Sequence, residues 1–78
     1  MPHVAVKLAP GSSEEQKGQL AQEIVKDVMR VLGKKQEAIS VALEEVDPKD
    51  WTDRVYIPDI QGKWNLLYKR PGYNPFEK

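Results

Sequence analysis

Pro2 offers the most unusual chemistry in this chain. Removal of an initiator methionine generally proceeds when the next residue is small, and proline qualifies. The mature chain would then open with a secondary amine that is basic, nucleophilic and held rigid by its ring. Such an amine serves as a general base if it is neutral at working pH. Burial and nearby cations both disfavour its ammonium form, and each unit of pKa depression requires about 1.4 kcal/mol of differential interaction. The plainer reading is a common second residue at the start of an edge strand. His3 adjoins the proline and could shift its basicity when charged, although alternation along a strand turns it away and favours a structural role. Ser40 could donate a hydrogen bond to a substrate, or be a small residue at a subunit contact. Arg54 follows Trp51 by three, so a helical turn would place both on one face, and one arginine can hold a carboxylate bidentately. Lys63 and Arg70 are the other cations considered. For all three the ordinary alternative is a solvated surface charge.

Composition removes several other chemistries. The 78 residues contain no cysteine and one histidine. Disulfides, thiolate metal sites and cysteine nucleophiles are thereby excluded, as is a histidine-rich metal site. No metal site is expected. Twelve basic residues balance twelve acidic ones, so nothing global steers the chain to nucleic acid or to an acidic membrane. Lys63-Trp64 and Tyr68-Lys69-Arg70 interleave cations with aromatics, as single-strand nucleic-acid binders do, but the neutral balance argues against that partner. No apolar run approaches a membrane span, and the first residues do not resemble a signal peptide. The expectation is a soluble, cytoplasmic protein. A domain this small buries only about 60% of the surface its unfolded chain exposes, so a partner subunit is expected to help stabilise it.

The elements that would position these residues can be read from periodicity. His3 to Ala9 alternate, with Val4, Val6 and Leu8 on one face and His3, Ala5 and Lys7 on the other, which predicts a strand. Pro2 shares the parity of Val4 and Val6 and so points inward. Pro10-Gly11 ends the strand. Ser12 with Glu15 and Ser13 with Gln16 both have capping-box spacing. Leu20, Ala21, Ile24, Val25, Val28, Met29, Val31 and Leu32 then recur at helical spacing, predicting one helix from about residue 13 to 32 that stops at Gly33. Ala38 to Val46 alternate again. Strand, helix and strand make a βαβ unit with parallel strands and a right-handed crossover. One sheet face is left uncovered, carrying His3, Ala5, Ser40 and Ala42. Two strands are not stable alone, so a second subunit is expected on that face.

All six aromatic residues lie after residue 50. Asp47-Pro48 reads as a helix start, limited to a short turn because Pro58 follows. Asp59 could cap a second helix near 60–69, where Ile60, Trp64, Leu67 and Tyr68 fall at helical spacing. The last six residues read as a tail, ordered only if it docks on a neighbour. The expected organisation is a single domain, 1–78, made of a βαβ core at 2–46 and an aromatic segment at 47–78.

Taken together, Pro2, the first strand, Pro10-Gly11-Ser12, a capped helix and a second parallel strand resemble the 4-oxalocrotonate tautomerase family. The closer similarity is to its dimeric, PptA-type branch. It rests on Val6-Lys7-Leu8, Glu44-Glu45-Val46, Val55-Tyr56, Pro58-Asp59-Ile60-Gln61-Gly62-Lys63-Trp64 and Pro71-Gly72-Tyr73. The heptapeptide run beginning at Pro58 is the specific part, and the resemblance covers nearly the whole chain. It implies an α/β (α+β) protomer of the tautomerase fold: parallel strands, one long helix, a short C-terminal helix, and sheets joined across a homodimer.

The resemblance also implies keto–enol tautomerisation without a cofactor, with Pro2 as the general base after Met1 is removed. The family's two substrate-gripping arginines correspond to Ser12 and Ser40 here, so that role does not carry over. Its aromatic wall corresponds to Trp51, whose indole would exclude water and help keep the proline neutral; the plainer alternative is core packing beneath the short turn. The implied substrate is a small 2-oxo acid or enol resembling phenylenolpyruvate. Substrate contacts are expected from Ser40, Trp51 and Arg54. The competing expectation is an inactive ligand-binding or interaction protein on the same fold. Other proline-dependent reactions, such as hydration, decarboxylation or dehalogenation, fit the same base.

Overall fold

The computed structural model describes residues 1–77 and divides into two compact units, Met1–Glu45 and one that begins at Val46. The first unit holds strand β1 (His3–Leu8), helix α1 (Glu14–Leu32) and strand β2 (Ser40–Glu45). A single 3₁₀ turn, Gln36–Ala38, leads into β2. The strands pair in parallel, His3 opposite Ser40, Ala5 opposite Ala42 and Lys7 opposite Glu44. This is the α+β arrangement that alternation and helical spacing predict. Both strands are slightly shorter than the alternating runs, because pairing stops where the register does.

Alternation decides the two faces. Val4, Val6, Val41 and Leu43 are half-buried, while His3, Ala5, Ser40 and Ala42 are exposed. On α1, Lys17, Ala21, Ile24, Val25 and Val28 form the half-buried stripe, at the spacing one helix face requires. Of the two possible caps, Ser13 is the one used. Its hydroxyl accepts from the Gln16 N–H at 3.0 Å, and the Gln16 side chain accepts from the Ser13 N–H at 2.9 Å. Gly33 closes the helix with φ 64°, its N–H donating to the Met29 carbonyl. A left-handed residue at that position favours glycine.

The second unit departs from expectation. Asp47 caps a 3₁₀ turn, Pro48–Asp50, through its carboxylate and the Lys49 N–H, as the sequence suggests. The chain then continues as a π-helix, Thr52–Gln61, straight through Pro58. Pro58 therefore does not end the run. Its ring normally clashes with the carbonyl four residues back. In a coil bonded from i to i+5, that carbonyl is not the one aligned with position 58. Nor does a helix form over 60–69: Asp59, Ile60 and Gln61 finish the π-helix, and only a 3₁₀ turn, Trp64–Leu66, follows. Tyr68 is fully exposed. The spacing that suggested a helix there reflects no buried stripe. Val46, Val55 and Tyr56 are the buried apolar residues.

The C-terminal tail also has a place within its own chain. Tyr73 and Phe76 pack on the Tyr56 ring, with centroids 5.7 and 5.9 Å away. The Phe76 N–H donates to the Asn74 side chain. These residues therefore have contacts within their own chain. Lys78, the end of the expected tail, lies outside the described residues. No helix among the described residues is long and apolar enough to cross a membrane.

Candidate functional site

Pro2 immediately precedes β1 and is half-buried. Its carbonyl accepts a hydrogen bond from the Ser40 N–H at 3.2 Å. The parallel ladder thus extends one residue beyond β1 and fixes Pro2 against the start of β2. Ser40 is a candidate from the sequence, and the fold brings it beside Pro2. Register does more, since it sets His3 opposite Ser40. The His3 Nδ1 lies 2.6 Å from the Ser40 Oγ. That bond could not be read from the sequence. Parity puts both residues on the open face, but only the register, settled by the loops around α1, makes them partners.

Charge on the open face is confined to its far end, where Lys7 stands opposite Glu44. On the covered side, Lys17 reaches from the first turns of α1 to Glu14 at 2.6 Å and to Glu45 at 3.3 Å. The hydrogen bond to Glu14 is the main reason its ammonium is held above the ordinary lysine range. Partial burial opposes the shift and Glu45 adds to it. A groove of about 440 Å³ runs between α1 and β2 past Ala21, Val25, Met29 and Val41. Neither Pro2, His3 nor Ser40 lines it.

Trp51 and Arg54 belong to the second unit. Trp51 is half-buried, and its indole N–H donates to the Tyr73 hydroxyl at 2.9 Å. Tyr73 as a partner of Trp51 is a further point sequence reasoning missed. Pro71-Gly72-Tyr73 stood out as a motif, but nothing in its spacing points 22 residues back. Arg54 is exposed and lies in the π-helix. The rule that stacks residues three apart on one face holds for α-helical spacing, so it does not place Arg54 over Trp51 here. Arg70 and Lys63 are held by contacts within the second unit. Arg70 stacks over the Trp64 ring at 4.7 Å and donates to the Trp64 carbonyl. Lys63 lies 3.8 Å from the Asp59 carboxylate.

A half-buried proline tied at the head of a parallel βαβ unit, with the Ser40 N–H bonded to its carbonyl, could move a proton at a small molecule once its nitrogen is a free amine. The family model described as "Tautomerase enzyme" matches residues 2–53. That span includes Pro2, His3, Ser40 and Trp51 and stops short of Arg54. A Xylella fastidiosa (strain 9a5c) protein named "Probable tautomerase" is 47% identical over 73 residues, 94% of this chain and 89% of its own length.

The chain belongs to the tautomerase family.

It is accordingly an isomerase, one that interconverts keto and enol groups of small molecules. Tautomerase PptA of Enterobacter sp. (strain 638) is 39% identical, over 95% of this chain and 99% of its own. Among solved structures, TomN, a 4-oxalocrotonate tautomerase homologue of the tomaymycin biosynthetic pathway, is 30% identical. It superposes with a TM-score of 0.62, over 64% of this tautomerase and 77% of TomN.

Proposed function

We propose that this tautomerase interconverts the enol and keto forms of a small 2-oxo acid, with phenylenolpyruvate as the representative substrate and Pro2 as the general base. The observation that carries the reading is the placement of Pro2: half-buried, at the head of β1, its carbonyl bonded to Ser40. While Met1 precedes it, the Pro2 nitrogen is an amide with neither proton nor basicity. Met1 is fully exposed, so nothing in the fold opposes its removal. The free amine then takes the proton of an enol hydroxyl and returns one to the neighbouring carbon. No net oxidation occurs and no cofactor is needed.

Ser40 contributes a hydrogen bond to the substrate. Trp51 supplies an aromatic wall suited to a phenyl ring, and Arg54 supplies a cation for the carboxylate. The working form is a homodimer. Among residues 1–45 none is fully buried, and the face bearing Ala5 and Ala42 is open to a second copy. Small side chains there permit close approach, and a two-stranded sheet gains the cover it lacks.

The test is ketonisation of phenylenolpyruvate by protein shown by mass to begin at Pro2, beside its Pro2→Ala variant. A fast wild-type rate that collapses in the variant is expected. Equal rates in the two, or none in either, would remove the proline from the mechanism for this substrate. They would favour a binding role for the fold.

A further inference from the structure

Ser40 is tied to the start of β1 twice. Its N–H donates to the Pro2 carbonyl at 3.2 Å, and its Oγ lies 2.6 Å from the His3 Nδ1. Two bonds from one residue, one at the backbone to Pro2 and one at the side chain to His3, fix Ser40 at the start of β1. Both His3 and Ser40 are exposed on the face that α1 does not cover.

A serine hydroxyl has one hydrogen to donate and two lone pairs to accept with. Beside an imidazole nitrogen it has two settings. If Nδ1 carries no proton, Ser40 must donate to it, and only lone pairs face outward. If Nδ1 carries the proton, in one neutral tautomer or in the imidazolium, the ring donates and the Ser40 O–H is left to donate elsewhere. The protonation of His3 thus decides what Ser40 presents to a molecule beside Pro2.

Resting on the proline-base reading, the reaction calls for the donating setting. When the Pro2 amine takes the enol hydroxyl proton, negative charge develops on the substrate oxygen before the carbon is protonated. A donor fixed in advance at that oxygen stabilises the transition state more than the ground state. The charged groups of this face are Lys7 and Glu44, opposite one another four residues along the ladder; the Pro2 amine, freed when Met1 is removed, stands at the head of β1.

We propose that Ser40 donates its hydroxyl hydrogen to the enolate oxygen, and that His3, donating from Nδ1 to the Ser40 Oγ, is the positioning residue that fixes this orientation. Protons balance. The enol proton passes to Pro2 and one returns from Pro2 to carbon, while Ser40 and His3 keep theirs.

Steady-state ketonisation of phenylenolpyruvate tests the pair, using protein that begins at Pro2. Ser40→Ala is expected to lower kcat about 10- to 100-fold, with KM changed less. His3→Leu should lower kcat by a similar factor. The double variant should be no slower than Ser40→Ala, because His3 acts only through the hydroxyl. His3→Asn offers an amide N–H in place of Nδ1–H and should recover most of the rate. Ser40→Thr keeps the hydroxyl and should hold most of it. Losses that multiply in the double variant, or wild-type kcat in His3→Leu, would overturn the proposal. So would losses that follow a change of assembly mass in Ser40→Ala and Ser40→Thr alike, which would make the pair a subunit contact. Pro2→Ala separates the two layers. If it keeps full activity, the proline reading fails; if it collapses while Ser40→Ala and His3→Leu run at wild-type rates, only the present inference fails.

Discussion

The Trp51 indole N–H donates to the Tyr73 hydroxyl at 2.9 Å, while the Tyr73 ring packs on Tyr56 at a centroid separation of 5.7 Å. One tail residue thus holds both an aromatic near the start of the π-helix and a core residue within it. Tyr73→Phe removes the hydrogen bond and leaves the ring. It should cost up to about 1 kcal/mol, at the low end because Tyr73 is itself half-exposed. Tyr73→Ala also loses the ring contact, adding about 0.5–1.5 kcal/mol. Urea unfolding of the two variants measures the difference. Equal losses in both would show that the hydrogen bond carries the effect and the ring contact adds nothing.

Gly62 closes the π-helix by donating to the Ile57 carbonyl at 2.8 Å. Its backbone is not left-handed; the constraint is space. A Cβ there would sit 2.8 Å from the Pro58 carbonyl oxygen and 3.0 Å from that of Ile57. Backbone must move to admit it. Gly62→Ala should destabilise the protein by about 1–3 kcal/mol. Gly72→Ala is the control, because a Cβ at Gly72 meets nothing within 4 Å. Matched denaturant midpoints for the two variants would contradict the close approach.

Two capping boxes are possible in Ser12-Ser13-Glu14-Glu15-Gln16, and the structure selects Ser13 with Gln16. Ser13→Ala leaves the Gln16 N–H without its acceptor and should cost about 1 kcal/mol. Ser12→Ala should cost only a few tenths. Thermal unfolding of both variants decides between them, and the reverse order would move the cap.

The Lys17 ammonium gains from Glu14 and Glu45, so its folded-state pKa stands above the ordinary value of 10.5. A base whose pKa rises on folding stabilises the folded state below its unfolded pKa. That contribution disappears as pH climbs through the folded pKa. Lys17→Met keeps the apolar stem against the half-buried face of α1 and removes the charge. The variant should melt modestly below wild type at neutral pH. The gap should close above about pH 10.5. A gap that stays constant through the alkaline range would assign the loss to packing. Added salt should narrow it as well, because Glu14 is almost fully exposed.

How far the sequence carries depends on which interactions are local. Period-two alternation and a helical stripe, each repeated over many residues, made β1, α1 and β2 legible, and Gly33 marked the end of α1. Pro2 and Ser40 could be named because position and parity suffice. His3 could not be paired with Ser40, since 37 residues separate them and the register comes from the whole crossover. The second unit misled for a different reason. Ile60, Trp64, Leu67 and Tyr68 have helical spacing, yet the core there is made by Val46, Val55 and Tyr56. Pro58 reads as a stop only if the helix is assumed to be α. Within the π-helix, Tyr56 packs against Tyr73 and Phe76 of the tail, a long-range contact that local spacing does not encode.

Ala5 and Ala42 stand opposite each other at the centre of the open sheet face. Neither carries a side chain beyond Cβ, so another layer can come close. If a second copy covers this face, a carboxylate placed there is either buried without a partner or keeps the subunits apart. Burial without a partner would cost several kcal/mol, more than a small interface can spare. Ala42→Glu should therefore lower the assembly mass measured by light scattering at micromolar concentration. On a face that stays in water the same change is nearly neutral, within about 0.5 kcal/mol. Activity should fall with the mass if the site is completed across the contact. An unchanged mass in the variant, or a wild-type protein that is already monomeric, would leave the open face in solvent and defeat the homodimer reading.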